Sequence, residues 1–196
     1  MLCTEDDQIA SRVKKMRLHG IDRTIWDRFT STQAKWEYDV VAPGYKYNLP
    51  DLSAAVGIAQ LERAHEFHER RQKIVKSYRE LLRGCSGLRL PPIEKKEGDH
   101  AWHLFVIQLD NRINRNEFIK NLSKCGVSTS VHYKPLHQMT YWKNRTNITQ
   151  KECPGAEAWW NSCVSLPLFP AMTNQEIEHV CTTVRRILSD TCVGTH

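Results

Sequence analysis

The clearest periodic pattern of apolar and polar positions begins after Pro50, where residues such as Leu52 and Val56 are spaced as on one face of a helix. Pro50 suits the first helical turn, and Gly84 suits the end of a helix. A helix of about 34 residues would be about 50 Å long, which is more than a small domain needs. The pattern therefore predicts a helix over residues 51–84 that bridges two domains.

Beyond a hinge that contains Pro91 and Pro92, the pattern changes to alternating strands and helices. The predicted strands are residues 102–109, 127–133 and 164–169. The predicted helices are residues 114–124, 156–162 and 174–188. These elements indicate a small α+β domain over residues 85–196. The chain as a whole is therefore predicted to belong to the α/β class.

Residues 1–50 lack the pattern of a complete domain. A short apolar stretch at the start resembles the end of a strand, and it leads into a helical pattern that Gly20 would end. No partner for that strand is visible in the sequence. Residues 21–50 have no sustained period but hold several tryptophans and tyrosines, and a loop of this length is usually functional or an interface. We therefore expect residues 1–50 to be the remnant of a larger domain.

The composition is that of a folded protein that does not enter a membrane. The 196 residues are 40% hydrophobic and 26% charged, and aromatic residues occur along the whole chain. The longest apolar stretches, residues 101–107 and 163–169, are far shorter than the roughly 20 residues that cross a bilayer.

The cysteine count is odd and includes no C-x-x-C pair, which argues against a disulfide framework and a zinc cage. We therefore expect a cytoplasmic protein.

The formal net charge of +6 raises the question of a nucleic-acid partner. Basic residues alternate with acidic ones, as in Glu62-Arg63 and Glu69-Arg70. Such alternation is typical of the solvated face of a helix rather than of a stripe that follows phosphates. No nucleic-acid partner is therefore expected.

Two histidines, His132 and His137, stand on either side of Pro135, directly after a predicted strand. A zinc site would need a third ligand and a helical or hairpin spacing that this segment lacks. Loop residues at strand ends tend to line binding sites, so one or both imidazoles are candidates for hydrogen bonds to a polar ligand. The alternative is a solvent-facing loop.

Two further segments carry candidate chemistry. His103 lies in an apolar strand pattern, where it is either a satisfied core or edge residue or a ligand contact. Residues 43–51 hold a glycine, two prolines, two phenols, an ammonium and an amide just before a predicted helix. Because the start of a helix offers N–H groups to anions, this segment is a candidate phosphate contact. Tyrosines at a subunit interface would give the same pattern.

Four sequence blocks occur in the same order as in a known enzyme family. They are G-Y-K-Y-N-L-P-D-L-S-A-A at 44–55, A-W-H-L-F-V-I at 101–107, G-V-S-T-S-V-H-Y at 126–133 and S-L-P-L-F-P at 165–170. On these blocks the chain resembles, over nearly its whole length, the DegT/DnrJ/EryC1/StrS family of pyridoxal-phosphate-dependent sugar aminotransferases. The Tyr-Lys-Tyr-Asn form of the first block is most similar to enzymes that aminate C4 of UDP-linked 4-keto sugars, including the 4-amino-4-deoxy-arabinose aminotransferase.

The resemblance implies an aspartate-aminotransferase-like (type I) fold and a homodimer with active sites at the subunit interface. It implies that Asn48 reaches the phosphate of pyridoxal 5'-phosphate (PLP) bound in the neighbouring subunit, with Tyr47 beside it. His103, His132 and His137 would lie near the sugar nucleotide. The implied reaction transfers an amino group, with glutamate as the expected donor, to a keto sugar carried on a nucleotide.

The same resemblance points to a residue that these 196 positions do not contain. The family's Schiff-base lysine lies in a Ser-x-x-Lys segment followed by Gly-x-Gly-Gly, and no lysine of this chain has that context. Transamination needs such a lysine to bind the coenzyme and to move protons. We therefore interpret the chain as the C-terminal half of a sugar aminotransferase, inactive alone. The alternative is a non-catalytic partner that binds a sugar nucleotide or dimerises with an intact relative.

Overall fold

The computed structural model of the chain describes residues 2–22, 38–96, 98–145 and 147–193, with side chains up to residue 190. The chain divides into two compact units, Met1–Glu62 and Arg63–His196. The division lies inside the range that the sequence pattern predicts as one bridging helix.

Two helices form the regular structure of the first unit, as far as the described residues show it. Helix α1, Asp7–Met16, is capped by Asp6, whose carboxylate accepts from the backbone N–H groups of Gln8 and Ile9. Helix α2, Asp51–Glu62, begins directly after a proline. Neither helix buries a side chain, so the buried apolar residues of the described chain belong to the second unit.

The range predicted as one long helix contains two. Helix α2 is followed by helix α3, Ala64–Leu81, and Arg63 between them has φ −96° and ψ 2°. These angles lie outside the helical region, and the Arg63 guanidinium bonds the Glu66 carboxylate in the next turn at 3.0 Å. Helical spacing continues across one non-helical residue, which is why the apolar pattern alone does not reveal the interruption.

A three-stranded antiparallel sheet lies at the centre of the second unit. Its strands are β1, Leu88–Arg89, β2, Phe105–Leu109, and β3, Cys163–Leu166, in the order β1-β2-β3. Strand β2 pairs with both neighbours, and Phe105 stands opposite Leu166. Every residue of β3 is buried, so this strand lies inside the unit and can hold a side chain beneath a surface site.

Helices pack against the sheet and against one another in the second unit. In chain order they are α4, Arg115–Lys124, a short 3-10 helix Leu136–Gln138, α5, Thr140–Lys143, a second 3-10 helix Gln150–Glu152, α6, Pro154–Ser162, and α7, Asn174–Val193. Helix α7 contacts α3 and α4, α4 contacts β3, and α6 contacts β2. The core between them includes the fully buried residues Ile74, Tyr78, Phe105, Ile107, Leu122, Val164 and Val184.

The predicted strands differ in extent from those in the structure, and the strand predicted over 164–169 is β3, Cys163–Leu166. The strand predicted over 102–109 begins at Phe105, because Trp102 has a left-handed backbone conformation (φ 46°) and is buried as a residue, at 3% exposure. The strand predicted over 127–133 is reduced to one bridge, Ser130 opposite Ser165. The helices predicted over 114–124, 156–162 and 174–188 are confirmed as α4, α6 and α7, with α7 extending to Val193.

Candidate functional site

The backbone that leads to Asn48 is fixed by hydrogen bonds to the segment that follows α1. The N–H of Tyr45 donates to the carbonyl of Met16 over 2.7 Å, and the N–H of Tyr47 donates to the carbonyl of Arg17 over 2.8 Å. These bonds place the Tyr-Lys-Tyr-Asn block as an extended segment along the end of a helix.

Two glycines allow the backbones of this arrangement to approach each other. A Cβ on Gly20, which has φ +73°, would lie 1.8 Å from the carbonyl oxygen of Ala42. A Cβ on Gly44 would lie 2.0 Å from the backbone nitrogen of Gly20. No side chain fits at such distances, so Gly44 has a physical reason to precede Tyr45.

The side chains at the end of the segment form a group of hydrogen-bond donors. Lys46 Nζ donates to Asn48 Oδ1 over 2.6 Å, which leaves the amide N–H2 of Asn48 to donate beside a positive charge. The Tyr47 ring stacks on Tyr45 at 5.1 Å between centroids and is 74% exposed. An ammonium, an amide and a phenol suit an anionic ligand, and the residues therefore fit the phosphate of PLP. The one acidic side chain nearby in sequence is Asp51, in the first turn of α2.

In the second unit, His132 is hydrogen-bonded to a residue of β3 and to a residue of α6. Its Nδ1 lies 2.8 Å from the hydroxyl of Ser165, a buried residue of β3. Its carbonyl accepts from the indole Nε1 of Trp159, on α6, over 3.0 Å. The imidazole and the backbone of His132 therefore both have fixed partners.

His137 is hydrogen-bonded to a carboxylate on α6. Its Nε2 lies 2.6 Å from Glu157 Oε1, and Gln138 Nε2 donates to both carboxylate oxygens over 2.7 Å. The hydrogen bonds from Gln138 hold the pKa of Glu157 below its usual range, His137 adds to the effect, and burial acts against it. The 3-10 helix that carries His137 is thus fixed to the first turn of α6.

His103 is exposed and precedes β2 instead of lying within it, so the strand alternation predicted for it is wrong. It lines a cleft of about 730 Å³ beside the sheet, together with Val106, Pro92 and Trp159. Trp159 also bonds His132. The structure therefore brings His103 and His132 to one tryptophan of α6. His137 is bonded to the same helix through Glu157.

The remaining predicted site residues, Asn48 and Tyr47, belong to the first unit. In the described parts of the chain, no three His, Cys, Asp or Glu side chains are grouped so that they could hold a metal ion. Among the residues that the structure describes, no helix has the length and hydropathy of a membrane span.

Three residues of this site are not predicted from the sequence: Glu157, Trp159 and Ser165. Glu157 has a signal in retrospect, since it is the acidic residue in the first turn of a predicted helix. Trp159 and Ser165 have none, because their partners are distant in sequence and the strand at residue 130 is a single bridge.

Comparison with known proteins gives a consistent result. Residues 1–185 match the model of the DegT/DnrJ/EryC1/StrS aminotransferase family. The chain is 34% identical to the spore coat polysaccharide biosynthesis protein SpsC of Bacillus subtilis, covering 96% of this chain and 49% of that protein. It is 32% identical to the UDP-4-amino-4-deoxy-L-arabinose–oxoglutarate aminotransferase of Shewanella sediminis, covering 95% and 50%. The chain thus spans about half the length of the curated relatives it matches.

Solved structures agree with the family match. The aminotransferase TlmJ of Streptoalloteichus hindustanus superimposes with a TM-score of 0.80 at 28% identity, covering 97% of this chain and 47% of that one. The protein Spr1654 of Streptococcus pneumoniae, in its PMP form, gives a TM-score of 0.85 at 27% identity, covering 96% and 47%. Spr1654 has also been solved in a PLP form. The predicted type I aminotransferase fold is confirmed, and this chain accounts for about half of it.

Proposed function

Because the chain belongs to the DegT/DnrJ/EryC1/StrS aminotransferase family, whose cofactor is PLP, we propose that it is the C-terminal half of an enzyme that aminates a nucleotide-linked keto sugar. The expected amino donor is glutamate. PLP, when bound, supplies the electron sink for the transfer. The observation that carries the proposal is the Lys46–Asn48 pair on a glycine-fixed segment, within a chain that matches the family over residues 1–185.

In this proposal the first unit provides contacts to the coenzyme phosphate. Asn48 donates its amide N–H2 to a phosphate oxygen, Lys46 holds the amide in that orientation, and Tyr47 lies beside it. The phosphate belongs to the coenzyme of the neighbouring subunit, so the complete protein is a homodimer with shared sites.

The second unit provides contacts to the sugar nucleotide in the same proposal. His132 and His137 are both fixed through α6, and His103 lines the cleft beside Trp159. Imidazole groups with one nitrogen already bonded present the other nitrogen in a fixed direction. These three histidines would hydrogen-bond and orient the substrate.

The lysine that binds PLP covalently is proposed to lie outside these 196 residues, so this chain alone is expected to be inactive. No lysine among these 196 residues has the Ser-x-x-Lys and Gly-x-Gly-Gly context, and this observation also supports a second candidate function. That candidate is a non-catalytic partner which binds a sugar nucleotide or dimerises with an intact relative. An in-frame segment of this kind upstream of Met1 would favour the enzyme, and an in-frame stop codon would favour the partner.

The proposal is tested on the complete reading frame, cloned with the sequence upstream of Met1. Addition of PLP should produce an absorbance band that PLP alone lacks, and glutamate with a UDP-linked 4-keto sugar should yield the amino sugar. Asn48→Ala should weaken PLP binding about tenfold, because a hydrogen bond to a charged group is lost. Asn121→Ala, which removes an amide in the second unit, is the control. A complete protein with neither band nor product would refute the proposal.

A further inference from the structure

Three short hydrogen bonds converge on the Glu157 carboxylate. His137 Nε2 lies 2.6 Å from Oε1, and Gln138 Nε2 donates to both oxygens over 2.7 Å. The side chains of His137 and Glu157 are 8% and 16% exposed, so water competes little for these bonds. An ionised carboxylate accepts hydrogen bonds and donates none. With Glu157 ionised, as its lowered pKa indicates, the hydrogen between the two groups is on Nε2 of His137.

From this geometry we infer that Glu157 is a positioning residue for the substrate. By accepting from Nε2 it fixes the rotation of the His137 ring and leaves Nδ1 as the nitrogen that meets a ligand. The inference rests on the proposed function, in which His137 contacts the sugar nucleotide. It adds a residue that does not itself touch the substrate but determines which imidazole atom does.

A second contact from the same helix supports this role for α6. Trp159, two residues after Glu157, donates to the carbonyl of His132 over 3.0 Å. One rigid helix therefore holds the segment between His132 and His137 at both of its ends. An orientation set at two points on a helix is better defined than one set by a loop.

Gln138 provides an internal control for a purely structural role. It bonds the same carboxylate as His137 and belongs to the same 3-10 helix, Leu136–Gln138. If the cluster did no more than fix this 3-10 helix to α6, removal of the Gln138 amide would cause most of the harm that removal of the carboxylate causes, because Gln138 makes two of the three bonds. If Glu157 acts through His137, the Gln138 side chain is dispensable for ligand binding.

The experiment uses the 196-residue chain labelled with ¹⁵N-histidine, with uridine diphosphate as the probe. In the wild type and in Gln138→Ala, the Nε2–H proton of His137 should give a downfield signal, and the Kd for uridine diphosphate should agree within about twofold. In Glu157→Ala the signal should vanish and the Kd should rise about tenfold. Glu157→Gln, which keeps an acceptor oxygen and the side-chain volume, should restore the signal and part of the affinity.

The outcomes distinguish the positioning role of Glu157 from the proposed contact between His137 and the nucleotide. Equal losses of affinity in Gln138→Ala and Glu157→Ala, or an unchanged signal and Kd in Glu157→Ala, would overturn the positioning role. If the wild type binds no uridine diphosphate while the Nε2–H signal still depends on Glu157, the proposed contact between His137 and the nucleotide fails and the fixation of His137 stands. A cooperative urea unfolding transition in each variant confirms that it is folded.

Discussion

At the residue scale, the approach of Gly44 to Gly20 decides whether Tyr45, Tyr47 and Asn48 can take up their positions. The two backbones are so close that a Cβ on Gly44 would lie 2.0 Å from the nitrogen of Gly20. Because this contact is with a backbone atom, no change of side-chain rotamer can relieve it. The coenzyme contact proposed for Asn48 therefore depends on a residue that has no side chain.

Gly44→Ala is expected to displace the Tyr-Lys-Tyr-Asn segment from α1. The Tyr47 N–H, which donates to Arg17, should lose its protection from hydrogen exchange, as measured by NMR. Gly57→Ala is the matched control, because a Cβ on Gly57 of α2 would meet nothing within 4 Å. That substitution should stabilise the helix by roughly 0.5–1 kcal/mol. Unchanged protection of Tyr47 in Gly44→Ala would contradict the close approach.

The Glu157 carboxylate gives a prediction about pH. Its pKa in the folded chain lies below the ordinary value of about 4.3, through the bonds from Gln138 and then from His137. The charge therefore stabilises the fold fully above that ordinary value, and the stabilisation is lost as pH falls through the folded pKa. The gap between the urea midpoints of the wild type and Glu157→Gln should be constant above about pH 5 and shrink below about pH 4. A gap between the midpoints that stays constant down to pH 2 would show that ionisation of Glu157 does not stabilise the fold.

At the scale of elements, helix α7 begins with a reciprocal cap. Thr173 Oγ1 accepts from the backbone N–H of Glu176, and the Glu176 carboxylate accepts from the N–H and hydroxyl of Thr173 over 2.7 and 2.9 Å. Thr149 and Glu152 make the corresponding contacts at the 3-10 helix Gln150–Glu152. The two caps are alike, but the helices that they begin differ greatly in length.

Thr173→Ala should lower the free energy of unfolding by about 1 kcal/mol, as measured by urea titration. Thr149→Ala is the comparison. It should lower the free energy of unfolding by less than half as much, because Thr149 caps a single turn that is exposed on the surface. Equal effects of the two substitutions would mean that the cap energy does not depend on the helix behind it.

The same elements show what the sequence could and could not predict. Helices α4 and α7 are marked locally by an apolar face and by the capping residues Asn114 and Thr173, so the pattern predicts them closely. The segment after residue 127 has strand-like composition but pairs through Ser130 alone, and such pairing depends on a partner far along the chain. Trp102 adopts left-handed backbone angles to reach the core, which no alternation pattern anticipates.

At the scale of the whole molecule, the two units differ in how they use apolar residues. The second unit has a buried core. Helix α2 in the first unit instead exposes a series of large apolar side chains, namely Leu52, Val56, Ile58 and Leu61. The sequence predicts residues 1–50 to be a remnant of a larger domain, and exposed apolar residues at this density favour association.

The isolated chain is therefore expected to self-associate through α2, whose Leu52 and Leu61 are 80% and 76% exposed. Replacing both with Lys should shift the chain toward monomer in size-exclusion chromatography with light scattering. Gln60→Lys adds one such charge on the same helix without removing an apolar group, and it should leave association nearly unchanged. Association of the double variant at wild-type strength would place the contact elsewhere.

The central claim is that this chain contributes contacts to a coenzyme whose covalent attachment point lies outside it. The most direct measurement is borohydride reduction after incubation with PLP, followed by peptide mass spectrometry, on the 196-residue chain and on the complete reading frame in parallel. We expect the complete protein to carry the reduced adduct at one lysine beyond these residues, and the chain alone to carry none at a defined position. A single labelled lysine within the 196 residues, in a chain that converts a keto sugar by itself, would contradict the account.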